Sequence, residues 1–389
     1  MVFQKRAVHL TFLNKANRVF KPIHPLKAMT RLYLCNIMKN AARNIRHLSL
    51  SDIEEYFATI GEKKFRAKQV YDWLWLKPVR SFDEMTNLSK ELRQKLAAEF
   101  SLPALKIDQT QHSEDGTFKL RFKTHDGHFV EGVLIPTASG RYTACVSSQI
   151  GCSLSCRFCA TGYMDRKRNL DFDEIYDEVV LLNSICEKEY GKKLSNIVYM
   201  GMGEPLLNYK NVLRSIERIT SPEGLAMSPK RITVSTAGVA KMIKQLGDDK
   251  VKFKLALSLH AANDQKRHGI MPINDTNDIQ SLIDALNYFY KQTKNEITFE
   301  YILFKNLNDS LQDADELIKI YRQVPADLVN LIEYNPIDAA RFEKPEEDKV
   351  EAFMYYLGKH RVNARLRRSR GKDIDAACGQ LANKEEHSA

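Results

Sequence analysis

The chain has 389 residues, with 59 Lys and Arg against 49 Asp and Glu, and 43% of its residues are apolar. That is chain enough for two or three domains and a large core, while no apolar run approaches the roughly 20 residues needed to span a bilayer. Seven cysteines, an odd number with three in one loop, exclude a secreted disulfide framework, so a soluble protein of the reducing cytoplasm is expected.

The net charge of +10 is unevenly spread. Residues 1–51 hold ten Lys and Arg and no Asp or Glu, which leaves 49 basic against 49 acidic residues in the remainder. Any nucleic-acid site must therefore come from local patches rather than from a global field. Residues 1–47 form a basic extension with no sustained helical period and a turn-prone Lys-Pro-Ile-His-Pro run at 21–25. An RNA-binding arm and an acid-free targeting peptide are two readings of it. The favoured one is a start codon placed too early, with Met29 or Met38 as the true beginning, because Met38 stands just ahead of the first organised helix.

Residues 48–104 read as a small helical accessory domain for RNA. Ser51-Asp-Ile-Glu54 has the form of a capping box. A second helix over 65–76 puts Val70, Trp73 and Leu74 on one stripe, Pro78 stops it, and a third helix covers about 88–100. Helix N-termini and basic side chains of such a module can meet a nucleic-acid backbone. Trp73 and Trp75 could stack on bases, but core packing is the better expectation. Residues 105–140 switch to period two, with Asp115-Gly116 and Asp126-Gly127 as hairpin turns of a short antiparallel meander. Glu131 falls in phase with Phe129, Val133 and Ile135, so its carboxylate should share their face.

Residues 141–370 alternate strand and helix. Strands are expected at 142–146, 196–201, 231–235, 252–258, 297–304, 328–334 and 362–368, and helices at 172–188, 209–220, 238–247, 277–293, 311–323 and 346–359. Six βα units without a glycine-rich dinucleotide turn predict an α/β fold built on a partial (βα)6 barrel. In such barrels function sits on the loops after the strands, and the unusual polar and small residues fall there. The rim elements are the Cys152–Cys159 loop, Gly201-Met-Gly203-Glu204-Pro205, Ser235, Ser258-Leu259-His260, Asn335-Pro336 and Asp375-Ala-Ala-Cys378-Gly379. Residues 371–389 are the C-terminal loop carrying Cys378 and a tail.

Cys152, Cys156 and Cys159 form a CxxxCxxC loop with no fourth ligand nearby at metal spacing. A structural zinc ion takes four protein ligands, whereas a four-iron cluster held by three thiolates keeps one iron open for a small molecule. The glycine pair lets backbone carbonyls approach a ligand, and Glu204 adds charge. Ser235, Ser258, His260 and Asn335 supply hydrogen-bonding groups for ribose, carboxylate and adenine edges. Phe158 could pack against an adenine. Cys378 and Cys145 are thiols outside the cluster loop on the same rim, a placement that fits covalent sulfur chemistry or a transient disulfide. Cys35 and Cys186 have no such context.

The CxxxCxxC spacing resembles that of the radical S-adenosylmethionine (SAM) enzymes. The runs CVSSQIGCSLSCRFCATG, GMGEPLLN, TVSTAG, SLHA, MPIN and RGKDIDAACGQL resemble the RlmN family of ribosomal-RNA adenine-C2 methyltransferases over about residues 48–383. The resemblance implies a radical-SAM barrel, a [4Fe-4S] cluster on Cys152, Cys156 and Cys159, and SAM held by Gly203, Glu204, Ser235, Ser258, Leu259, His260 and Asn335. It implies that Cys378 is methylated first and that a 5′-deoxyadenosyl radical then takes hydrogen from its S-methyl group. The resulting carbon radical adds to adenine C2, Glu131 removes the C2 proton, and Cys145 releases the product by forming a disulfide with Cys378. Two SAM molecules are used per turnover. The implied partners are 23S rRNA at its peptidyl-transferase loop, the adenine beside certain tRNA anticodons, and a flavodoxin-type electron donor, with the enzyme a monomer and no membrane involved. Arg166-Lys167-Arg168 and Arg365, Arg367, Arg368, Arg370 and Lys372 flank the rim as candidate RNA contacts. Two alternatives stand beside this one: Cfr-like methylation of adenine C8, and a zinc-stabilised RNA-binding protein without catalysis.

Overall fold

A computed structural model describes residues 42–77 and 79–384. The expectations for residues 1–41, the early start codon among them, and for the helix stop at Pro78 lie outside the described residues. The helical module comprises α1 (Leu50–Thr59), α2 (Lys64–Trp75) and α3 (Lys90–Glu99). The capping box sits two residues earlier than expected. Ser49 Oγ accepts from Asp52 N at 3.1 Å, and Asp52 Oδ2 accepts from Ser49 N at 2.8 Å. The shorter Asp side chain closes the same ring that Glu closes in the usual pattern, so Ser51 lies inside the helix. Trp75 is 1% exposed and serves as core, with Tyr176 edge-on at 5.4 Å and the Arg218 guanidinium over its ring at 4.4 Å. Trp73 is half-buried beneath Lys77.

The meander strands are β1 (Lys106–His112), β2 (Phe118–Lys123) and β3 (Phe129–Pro136). Their turns place Gly116 and Gly127 at φ +88° and +84°, a region that favours glycine. The barrel follows with β4 (Tyr142–Val146), α4 (Phe172–Tyr190), β5 (Asn196–Tyr199), α5 (Tyr209–Thr220), β6 (Ile232–Thr236), α6 (Ala240–Asp248) and β7 (Lys254–Ser258). It continues through α7 (Asp264–Ile270), α8 (Ile279–Thr293), β8 (Ile297–Leu303), α9 (Leu311–Gln323), β9 (Leu328–Glu333), α10 (Glu347–Lys359) and β10 (Ala364–Arg367). The helix α7 was not expected; at seven residues it is too short to show a helical period.

All ten of these strands join one sheet in chain order from β10 to β1. Strands β4 to β10 run parallel, and β1 to β4 antiparallel. The meander is thus an extension of the barrel wall rather than a separate linker. Because β10 and β1 lie at opposite ends of the strand order, the barrel stays open on one side. The C-terminal segment bridges from β10 back to the meander across that opening. Gly371 N donates to Asp115 Oδ2 at 2.9 Å, Ser113 Oγ donates to Asp373 Oδ1 at 2.5 Å, and Ala382 N donates to Glu131 Oε2 at 2.9 Å.

Candidate active site

The site begins where β4 ends. Ser147 Oγ accepts from Met202 N at 2.7 Å and donates to the Glu131 carbonyl at 2.7 Å, while Gln149 Oε1 accepts from Glu204 N at 2.8 Å. The loop after β5 is therefore strapped to the loop after β4. A Cβ on Gly201 would stand 2.5 Å from Ser147 Oγ, and one on Gly203, at φ +89°, would stand 2.4 Å from Gln149 Cβ. The glycine pair is needed for this loop-to-loop contact as well as for any approach of a ligand.

Two cavities occupy the barrel interior. The first, of about 150 Å³, is lined by Cys152, Cys156 and Cys159 together with Gly203, Glu204, Ser235, Ser258, His260, Phe158 and Cys378. The second, of about 460 Å³, runs through a polar lumen past Cys145 and also reaches Cys378. Cys378 lines both. Two of the residues expected to contact SAM line neither cavity. The Leu259 side chain is 1% exposed and packs in the core, because the strand alternation turns it away from the lumen while its carbonyl accepts from Arg267 Nε at 3.1 Å. Asn335 donates through Nδ2 to the Cys378 carbonyl at 3.2 Å and so ties its strand end to the Cys378 loop.

Burial pushes the thiols of the loop upward, Cys152 to about 11 and Cys156 and Cys159 in the same direction. Three half-buried thiols, of which Cys156 also feels the Arg267 cation, fit a metal centre that takes them as thiolates. Among the described residues, the one trio of ligand atoms drawn within 4.8 Å of one another is His47, Asp171 and Asp173.

Glu204 is 3% exposed, with Oε2 accepting from Ala237 N at 2.8 Å and Oε1 from Leu206 N at 3.0 Å. Burial raises its pKa, against the backbone hydrogen bonds that hold it charged. His260 accepts through Nδ1 from Ile302 N at 3.1 Å, which leaves the proton on Nε2. Burial, aided by Arg267, lowers its pKa to about 3, so the ring is a neutral donor. Phe158 meets that ring edge-on at 4.9 Å.

Cys145 is 7% exposed and pairs in register with Val133 on β3. Burial pushes its thiol up to about 12, with Cys378 adding to the shift. Glu131 does lie on the face of Val133 and Ile135, but it lines neither cavity. Its Oε2 accepts from Ala382 N and Asn383 N, and Lys119 Nζ stands 3.7 Å from Oε1. The carboxylate clamps the C-terminal segment in this conformation.

Several basic residues expected to face RNA are paired within the chain. Arg168 bonds both Asp126 and Glu174, which together raise its pKa against burial and tie the meander to α4. Lys372 binds Glu333 at 2.6 Å, Arg368 binds Glu347, and Arg365 and Arg367 line the second cavity. The carboxylates in these pairs stand 6 to 42 residues away in sequence, so charge counting along the chain missed them.

Arg267 was not singled out. It is fully buried and donates to the carbonyls of Ala237, Leu259 and Ser258 and to Asn274 Oδ1, so one guanidinium joins the loops after β6 and β7. Glu300 carries no expectation above and Arg367 was expected only as an RNA contact, yet both line both cavities. A charged residue inside an otherwise apolar strand was the signal available for Glu300.

A parallel barrel open on one side, with a three-thiol loop after its first strand, defines a radical SAM enzyme, and the radical SAM superfamily profile matches residues 146–318. Such enzymes use a [4Fe-4S] cluster and SAM. A second profile, the ribosomal RNA large subunit methyltransferase N-terminal domain, matches residues 43–102. The chain is 56% identical over 358 residues to a probable dual-specificity RNA methyltransferase RlmN from Cytophaga hutchinsonii, covering 91% of this chain and 98% of that protein. It is 42% identical over 346 residues to the dual-specificity RNA methyltransferase RlmN of Oleidesulfovibrio alaskensis, covering 87% and 95%. A crystal structure of a radical SAM methyltransferase from Sphaerobacter thermophilus superimposes with a TM-score of 0.82 at 39% identity, covering 87% of this chain and 99% of that one. The chain belongs to the RlmN family.

Proposed function

We propose that the protein methylates C2 of an adenine in 23S rRNA, and the corresponding adenine beside the anticodon of some tRNAs, through a methyl group carried on Cys378. The observation that carries this reading is the position of Cys378 at the junction of the two cavities. One cavity holds the three loop thiols and the neutral hydrogen-bonding groups suited to SAM. The other is a polar lumen wide enough for an extruded base.

Cys152, Cys156 and Cys159 hold the cluster in this reading, and Gly203, Glu204, Ser235, Ser258, Leu259, His260 and Asn335 hold SAM. When bound, these groups supply the methyl group and the radical that takes a hydrogen atom from it. Cys378 carries the carbon to C2 and remains bonded to it through sulfur. Glu131 removes the C2 proton once the C-terminal amides release its carboxylate. Cys145, lining the same lumen as Cys378, forms the disulfide that frees the product. A flavodoxin-type donor, a monomeric state and a cytoplasmic location accompany this reading.

Mass analysis of nucleosides from RNA treated with the anaerobically reconstituted enzyme tests it. The expected product is 2-methyladenosine; 8-methyladenosine would replace the C2 assignment with C8. Cys145→Ala should trap a covalent RNA adduct through Cys378, and unchanged turnover of that variant would remove Cys145 from the reaction.

A further inference from the structure

We propose that Glu300, together with Arg367, reads the target adenine through its 6-amino group and the adjacent ring nitrogen. The inference rests on the function proposed above and adds the residues that select the base. Glu300 lies within β8 and is 3% exposed. Its Oε1 accepts from Asn330 Nδ2 at 2.6 Å, and Asn330 Oδ1 in turn accepts from Arg365 Nε at 2.6 Å. The carboxylate is therefore fixed in place. Its other oxygen, Oε2, is buried and has no hydrogen-bond partner among the described residues. The nearest cation is Arg367, with Nη1 at 3.8 Å, which is too far for a hydrogen bond.

An unpartnered buried carboxylate oxygen is costly, and this one lines the space where the two cavities meet beside Cys378. Arg367 is similarly underused on the lumen side. Its Nη1 has Met200 Sδ at 3.9 Å as a weak acceptor. Cys378, Glu300 and Cys145 act on its guanidinium and line the second cavity with it.

A fixed acceptor beside a donor is the complement of one edge of adenine, whose 6-amino group donates and whose N1 accepts. Guanine presents a carbonyl and an N–H in those places, which would set acceptor against carboxylate and donor against guanidinium. The pair therefore admits adenine and repels guanine. N1 is bonded to C2, so a guanidinium donating to N1 brings C2 to the neighbourhood of Cys378. It also draws electron density from C2, which favours addition of a carbon radical there.

The test uses the holoenzyme and two rRNA fragments, one with adenosine and one with purine riboside at the target. Purine riboside lacks the 6-amino group and keeps N1. The wild-type kcat/KM should fall about 10- to 100-fold on the purine substrate, the range of one good base-reading contact. In Glu300→Ala the two substrates should react at nearly equal rates. Glu300→Gln, which keeps an oxygen acceptor and the size of the side chain, should show an intermediate ratio. Iron content and SAM binding are measured on each variant to establish that it is folded. Equal wild-type rates on the two substrates would overturn the proposal without recourse to any variant. So would a Glu300→Ala enzyme that keeps the full discrimination, or one that loses only affinity for SAM. Failure of the wild type to methylate adenosine at all would instead overturn the proposed function, and the inference with it.

Discussion

At the scale of single residues, the least expected feature is the burial of charge. Glu178 is fully buried on α4, with Oε2 accepting from Ser147 N at 3.0 Å and Oε1 unpartnered among the described residues. Burial raises its pKa well above the ordinary carboxylate value. A raised acid contributes fully below its unfolded pKa of about 4.3, and that contribution is lost as the pH rises toward the folded value. Glu178→Gln keeps an acceptor for Ser147 N and has no proton to lose. The variant should therefore gain melting temperature relative to wild type as the pH is raised from 5 to 8; parallel curves would show that the carboxyl ionises freely. The cysteine loop, the GMGE run and His260 were legible in the sequence because each is a rare residue type at a fixed spacing. Glu300 and Glu178 were not. All seven residues of β8 are buried, and α4 buries Asp173, Glu174, Asp177 and Glu178, so neither alternation nor amphipathicity marks which side chains face a lumen.

At the scale of elements, α4 explains that burial. It lies between the barrel sheet and the helical module, and its carboxylates receive the chain that enters α1. Arg46 is 1% exposed and its Nη1 donates to Asp177 Oδ1 at 2.8 Å, while Asn44 Nδ2 donates to Asp173 Oδ2 at 2.8 Å. Burial works against the Arg46 charge, but Asp177 and Asp173 outweigh it and raise its pKa. Arg46→Ala leaves Asp177 buried without its cation and should cost about 3–5 kcal/mol in denaturant unfolding. A loss below 1 kcal/mol would mean that the module docks through its apolar contacts alone. His47 adds a pH dependence. Its hydrogen bond to Asp173 raises its pKa, against burial, so the stabilisation is complete below about 6.5 and is lost as the pH rises through the folded value. The midpoint of wild-type unfolding should drop between pH 6 and 9 relative to that of His47→Ala. Strand and helix positions in the barrel were legible almost throughout, since each has enough residues to show its period. The capping box slipped by two residues because Ser49 and Ser51 both stand three places before an acid.

At the scale of the whole molecule, the barrel depends on its own C-terminus for closure. The sheet ends at β10 on one side and at the meander on the other, and the segment from Gly371 to Asn383 spans the gap with Cys378 at its middle. The wall and the Cys378 loop are thus one structural unit, which the sequence could not show because the ties join residues about 260 positions apart. Asp373 makes one of those ties. It accepts from Ser113 Oγ and from Glu114 N, and the Ser113 bond is the main cause of its lowered pKa. A lowered acid contributes above its unfolded pKa of about 3.9 and ceases to as the pH falls through the folded value. Closure should therefore loosen only in strong acid, and at neutral pH the segment should stay docked. Asp373→Ala removes both bonds at every pH. Hydrogen exchange at the amides of 376–383 should then speed up about tenfold, the effect of one to two hydrogen bonds, while the amides of β5 to β8 keep their wild-type rates. Unchanged exchange at 376–383 would transfer the closing role to Glu131 and its two amide bonds. Faster exchange throughout the barrel would make the segment a support of the whole fold rather than a lid over the thiols.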